Sequence, residues 1–564
     1  MKITFIEPPH EWQDRETIKV RNYGVERIIS HVVFQSLIPK ENIKCYDYSF
    51  DYIPTKQEAF KYLQQKLSTI EDSDVFGISV METNYNNSLL LAALLKMKFP
   101  ESKILLGGSA VSELDKEIMQ LVWQTDNGDN ITKIGFVDFL ILGMAEEALA
   151  EFIRQYHSEQ FEKVPNLVWI SKGKLISNPM KYPPKDWKTI NAIDVKWHST
   201  GKYKDDHFLL LASYGCYANC DFCTMVIKEP SYVEREIPHL ITEIQQDVEI
   251  ARKRGVEKIF IQPIHQNYSH RIQQFMLALE QAKVIIAGVE TYIPLISKIS
   301  GIGFTSRADS LVIQRNKELV ENVIKQYPEI NFQLFVGIEN FSDEVMQEIG
   351  KKVPQKINVE AMKFLISLKK NYKNFDYLLS FIGLTHNAKI NHIRENITIM
   401  EQLFVENRSL YPVHYFLQQP LRLGVKMSKK LQISRPKGYY LEDNFGKPKN
   451  KGNLAYPKDE QTLQFLEQYY SYLPNIPEFI MRKRLFDELT SRGVDIIEHA
   501  SQILQVDPPL IERYFLWAEL FIAKHLLDKR DVVTVLSICE RTYFYGLQIL
   551  QKKLEQEKFV SVRY

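Results

Sequence analysis

The sequence predicts an α/β protein in three parts: an N-terminal doubly wound, flavodoxin/Rossmann-like parallel sheet, a central partial or full β/α barrel, and a C-terminal all-helical domain. Three observations carry this. Continuously apolar short runs alternate with helical periods up to about residue 160, as expected of strands buried on both faces of a parallel sheet. The alternation resumes for six strand–helix repeats after residue 206. Past residue 458 only helical periodicity remains. A chain of 564 residues is too long for one core, so several domains are expected.

In the first part, 1–160, the strands read "KITFIEP", "NIKCYDYSF", "VFGISV", "KILLGGS" and "VDFLILG", with helices between and after them. Ligands on such sheets bind beyond the carboxyl ends of the strands, here "EPPH", "SVMETN", "GGSA" and "LGMAEE". Residues 161–205 have low periodicity and read as a connector. The barrel, 206–430, opens with "HFLLLAS" and continues through "KIFIQP", "GIGFTS", "NFQLFVGIE", "DYLLSFIGL" and "PVHYFLQQP". Residues 431–457, rich in Lys, Gly, Pro and Asn, read as a linker, and 458–564 as the helical domain.

Composition excludes several classes. With 71 basic and 70 acidic residues the net charge is +1, which gives no footprint for a nucleic-acid partner. No run of about 18 apolar residues appears, so no membrane span is expected. The apolar start is too short for a secretory signal. Five cysteines make no disulfide framework in a chain this size, and the expectation is a cytoplasmic, reducing setting.

Three of those cysteines crowd into "SYGCYANCDFCTM", directly after the first barrel strand. Cys216, Cys220 and Cys223 have the spacing C-x3-C-x2-C. Three thiolates from one loop can hold three irons of a cubane cluster and leave the fourth iron open, as catalysis requires. Zinc is the alternative; it would need a fourth ligand, and His207 and His265 are the evident candidates.

"CYANCDFC", after a strand and opening a β/α barrel, resembles the radical S-adenosylmethionine superfamily. "FTSRADSL", "FVGIENFSDEVMQEIGKKV" and "SFIGLTHNAKINHIRENI" look like successive barrel stretches of members with an N-terminal cobalamin-binding domain. The resemblance implies a [4Fe-4S] cluster on Cys216, Cys220 and Cys223, whose open iron is chelated by S-adenosylmethionine. It implies reductive cleavage of that cofactor to a 5′-deoxyadenosyl radical. It sets Phe222 against the adenine and makes Arg307 and Glu339 candidates for the methionyl or ribose groups. One departure stands out: after the second strand "FIQPIHQNY" has no Gly-Gly-Glu run, so Gln262, His265 or backbone carbonyls would hold the methionyl amino group.

The first domain resembles the cobalamin-binding domain ahead of such barrels. "SVM" from Ser79 stands for its Ser-x-Leu, and Gly107-Gly108 for its Gly-Gly, where small residues let a nucleotide tail pass close to the backbone. Its Asp-x-His-x-x-Gly element is missing. His10 lies in the corresponding loop as a candidate lower axial ligand, with a solvent-facing loop histidine as the alternative. What the resemblance implies is cobalamin-dependent methyl transfer to an unactivated carbon of a natural-product, peptide or small-molecule substrate. A one-electron reductant such as flavodoxin or ferredoxin would serve it. The alternative is a cobalamin-free radical enzyme, such as a peptide epimerase, on a degenerate first domain; a non-catalytic iron–sulfur scaffold is more remote. A methylthiotransferase would need a second cluster, for which Cys45 and Cys539 do not suffice.

Overall fold

The computed structural model describes residues 1–11, 18–20, 22–53, 55–111, 118–119, 122–126, 131–181, 195–218, 220–223, 232–264, 269–285, 292–407 and 457–472, with 421–422, 430, 454–455, 524 and 527–528 besides. Most of the helix expected after Gly108, His265, the strand expected at 412–420, nearly all of the linker, Cys539 and the helices expected beyond 472 lie outside the described residues.

The first sheet has eight strands. They are β1 (Ile3–Glu7), β2 (Ile43–Asp47), β3 (Val75–Ser79), β4 (Lys103–Gly107), β5 (Phe139–Ile141), β6 (Leu167–Ser171), β7 (Lys174–Ser177) and β8 (Trp197–Ser199). Their order is β7-β6-β5-β4-β3-β1-β2-β8, parallel from β8 to β5 and antiparallel at β6 and β7. Alternate strand residues supply opposite faces. Ile6, Phe76, Ile78, Ile104 and Leu106 join one core, with α2 (Lys56–Leu67) and α3 (Tyr85–Lys98). Ile3, Phe5, Val75, Leu105, Phe139 and Ile141 join the other, with α1 (Tyr23–Phe34) and α4 (Glu146–Gln155). This is the doubly wound arrangement expected.

The stretch 161–205, expected as a connector, instead contributes β6, β7 and β8 to this sheet. Lys172 and Gly173, both at positive φ, turn the β6–β7 hairpin, and β8 pairs Trp197 with Cys45 of β2. No helix separates β6 from β7, so the strand–helix alternation that marks the other strands is absent here.

The second sheet is a five-stranded parallel half-barrel of β9 (His207–Leu211), β10 (Ile259–Ile264), β11 (Ile299–Arg307), β12 (Asn331–Glu339) and β13 (Phe375–Phe381), in that order. The helices α5 (Ile237–Lys253), α6 (Ile272–Gln281), α7 (Gln314–Gln326), α8 (Gln355–Asn371) and α9 (Ile390–Asn407) alternate with these strands, and their apolar faces share one core with them. A further helix, α10 (Glu460–Tyr472), adds Phe465 and Leu466 to that core. No helix among the described residues is long and apolar enough to cross a membrane.

Candidate functional site

The cysteines follow β9 by way of Ser213–Tyr214, which pairs with Val233–Glu234, and Gly215 at positive φ. Cys220 is buried; Cys216 and Cys223 are half-buried. The loop is held from several sides. Cys223 N–H donates to Cys220 O at 3.3 Å, closing a turn. Asp221 N–H donates to Ile349 O at 2.9 Å, and a side chain at Gly350 (φ 70°) would meet Asp221 at 2.5 Å. Lys430 Nζ donates to Asp221 Oδ2 at 2.5 Å and to Glu348 O at 2.7 Å. Burial pushes the Cys216 thiol up, while the Ala218 N–H, 3.4 Å from its sulfur, and Arg307 pull it back.

Among the described residues no three His, Cys, Asp or Glu side chains converge on one metal ion. Zinc on these three thiolates would need a fourth ligand, whereas a cubane gives each thiolate its own iron. His207 is also misplaced for zinc. It starts β9, its ring stacked 4.3 Å from that of Phe260, some 13 Å before the strand's carboxyl end at about 3.3 Å per residue.

Arg307 closes β11 beside the cysteines. Its Nη1 lies 3.5 Å from Cys220 Sγ, while Nε and Nη2 grip Asp309 at 2.9 and 2.7 Å. Burial alone would lower the guanidinium's pKa, but Asp309 and the Cys220 sulfur more than offset it. Glu339 ends β12 at φ 66°, after a register shift at Gly337. Its carboxylate is engaged by Lys351 Nζ at 3.1 Å and Ser380 Oγ at 3.0 Å, and the same ammonium donates to Gly337 O at 2.5 Å. Phe222 packs, half-buried, on the barrel core. Gln262 is exposed, and a side chain at Gly303 would touch it at 3.5 Å. Asp309, Lys351 and Lys430 escaped the sequence reading. The Arg-x-Asp after a strand was a usable signal for Asp309; nothing local marks the lysines.

At the rim of the first sheet, Ser79 pairs with Gly107. Gly108 has φ 109°, and a Cβ there would lie 2.4 Å from Val80 O, so the close approach of β3 and β4 alone demands glycine. At Gly107 nothing lies nearer than 4.0 Å. His10 is half-buried, its Nδ1 hydrogen-bonded to Thr83 Oγ1 at 2.7 Å. Beside it the Glu11 carboxylate accepts from the Asn87 N–H and from Asn86 Nδ2, both at 2.7 Å, capping the first turn of α3. Burial pushes its pKa up to about 7.

The two rims meet. Tyr23, at the start of α1, donates to Glu243 Oε1 and accepts from the Leu211 N–H, each at 2.9 Å. Tyr214 donates to Glu146 Oε1 at 2.7 Å. Arg27 lies 3.7 Å from Glu146 and 3.9 Å from Glu243, and the fully buried Arg235 also pairs with Glu243. The first residues of α1 and α4, the helices after β1 and β5, thus grip the end of β9 and the approach to Cys216. Carboxyl end faces carboxyl end.

No family model and no curated protein sequence matches the chain. Solved structures do. The cobalamin-dependent S-adenosylmethionine radical enzyme OxsB, with aqua-cobalamin and S-adenosylmethionine bound, superposes with a TM-score of 0.63 at 13% identity, covering 99% of this chain and 79% of OxsB. Its form with aqua-cobalamin alone gives 0.65 at 12%, covering 99% and 80%. The radical S-adenosylmethionine methyltransferase TsrM from Kitasatospora setae gives 0.48 at 10%, covering 72% and 70%, too slight a likeness to build on. Over nearly its whole length, the chain has the fold of a cobalamin-dependent radical S-adenosylmethionine enzyme.

Proposed function

We propose that this protein is a radical S-adenosylmethionine enzyme that binds a [4Fe-4S] cluster on Cys216, Cys220 and Cys223, and that it uses cobalamin to transfer a methyl group to an unactivated carbon. The observation that carries the reading is the three-thiol loop at the carboxyl end of the first half-barrel strand, facing the carboxyl end of a doubly wound sheet. OxsB, which shares the fold, is described with aqua-cobalamin and S-adenosylmethionine bound.

The residues present fit these groups. The Ala218 N–H and the Arg307 guanidinium both point at cysteine sulfur, as thiolate ligands favour. The open space at Gly107 suits a closely passing ligand, whereas Gly108 is glycine for the fold's own reasons. When bound, the cluster supplies the electron that cleaves S-adenosylmethionine and cobalamin supplies the methyl carrier. In this reading Phe222 would back the adenine and Arg307 would meet the methionyl or ribose part of the cofactor. Glu339 would exchange Lys351 for an amino or hydroxyl group, and Ser79 and Gly107 would line the cobalamin tail. His10, held at Nδ1, would present its other nitrogen to cobalt. The substrate is a small molecule or peptide, and a flavodoxin or ferredoxin supplies the electron.

A second reading, a cobalamin-free radical enzyme, is favoured by the structural demand for Gly108, which accounts for that glycine without a ligand. One experiment separates them. The protein is purified without oxygen, reconstituted with iron and sulfide, given hydroxocobalamin and desalted, and its visible spectrum is recorded. The iron–sulfur band is expected and is lost in Cys216→Ala; its absence from the wild type overturns both readings. Stoichiometric retention of cobalamin is the expected result, and its loss on desalting leaves only the second reading.

A further inference from the structure

Granted the cluster proposed above, we propose that Arg307 sets its reduction potential through a hydrogen bond to the Cys220 sulfur, with Asp309 as the counterweight. The guanidinium divides its donors. Nε and Nη2 are committed to the two oxygens of Asp309, which leaves Nη1 aimed at Cys220 Sγ at 3.5 Å. The cation and the anion sit in different media. The Arg307 side chain is 14% exposed and that of Asp309 43%, so water screens the carboxylate more than the guanidinium. Cys220 itself is 7% exposed. The sulfur therefore feels a net positive field and a directed N–H.

Reduction adds one electron from an external donor to the cluster and breaks no bond, so the cluster and its three thiolates gain one negative charge. A fixed cation and a hydrogen bond to a ligand sulfur favour that more negative state and raise the potential. The Arg307–Asp309 pair would be complete without Cys220, two residues apart on one turn. Its orientation toward the sulfur is what a purely structural pair does not need.

The test is an EPR-monitored redox titration of the reconstituted full-length protein, without S-adenosylmethionine, on Arg307→Gln, Arg307→Lys and Asp309→Asn. Arg307→Gln is expected to make reduction at least tenfold harder, a fall of 59 mV for a one-electron couple. Asp309→Asn, which strips the counterweight, moves the potential the opposite way. Arg307→Lys falls between, since ammonium keeps the charge without the fork. Opposite signs from the two neutralising substitutions are not expected of a merely structural pair. Unshifted potentials, or shifts of one sign for both, overturn the proposal. So does an unchanged potential with weakened S-adenosylmethionine binding, which would make Arg307 a cofactor clamp only. If Arg307→Gln loads no cluster, Asp309→Asn, on the more exposed partner, still decides by its sign. A wild type that holds no cluster instead sinks the site reading, a result distinct from a loaded cluster with an indifferent Arg307.

Discussion

The seam between the two sheets and the cysteine loop use similar parts, arginines set against carboxylates with hydroxyl or thiol groups between them, and they end in different states. At the seam Tyr23, Arg27, Glu146, Tyr214, Arg235 and Glu243 are all buried, and the two domains answer each other's polar groups. At the loop Arg307 and two of the cysteines are only partly buried. The difference teaches where each cluster's free energy goes. A buried ion network is tolerated only when its charges are paired, and at the seam the guanidiniums of Arg27 and Arg235 are set against the carboxylates of Glu146 and Glu243. The loop instead leaves Cys216 and Cys223 partly open to solvent, as ligands to a bound group would have to be.

The largest effect of substitution is expected at the loop. Cys220→Ala should abolish the cluster's visible absorbance while leaving the melting temperature of the cluster-free protein nearly unchanged. At the seam the result reverses. Arg235→Met leaves Glu243 buried without its nearest cation and should cost about 3–5 kcal/mol in denaturant unfolding, while Arg235→Met with Glu243→Leu should recover part of that loss.

A subtler contrast lies at the first rim, where Glu11 is buried but capped. Its folded pKa of about 7 stands above its ordinary 4.5, so its contribution is fully present below pH 4.5 and lost as pH rises through 7. Glu11→Gln should flatten that decline, worth on the order of 3 kcal/mol between those limits, seen as a melting temperature that falls less from pH 4.5 to 7.5. The glycine pair sharpens the comparison further. Gly108→Ala should cost about 1–3 kcal/mol in backbone strain whether or not cobalamin is present. Gly107→Ala has room for its methyl group, so stability should hold, and loss of cobalamin retention alone would mark the ligand's path.

Much of this was legible in the chain because it is local. An apolar run of five residues between helical periods declares a buried parallel strand, and β1 to β5 and β9 to β13 were all read that way. Three cysteines within eight positions declare themselves by spacing. The strands of 161–205 did not, because β6 and β7 form a hairpin with no helix between them, and β8 is defined by its pairing with β2 some 150 residues earlier. The family resemblance made Glu339 a candidate cofactor contact; that Lys351 and Ser380 already engage it depends on a register shift no periodicity reveals.

By itself, then, the sequence determined the alternation of strands and helices, the parallel strands of both sheets and the three thiols at a strand's carboxyl end. Each follows from side chains within a few positions of one another. Only the tertiary structure decided that the two rims face each other, that Tyr23 meets Glu243 across 220 residues, and that Arg307 turns its one uncommitted nitrogen to Cys220. Those are matters of which charge finds which partner once water is excluded, and desolvation is a property of the packed chain rather than of any stretch of it.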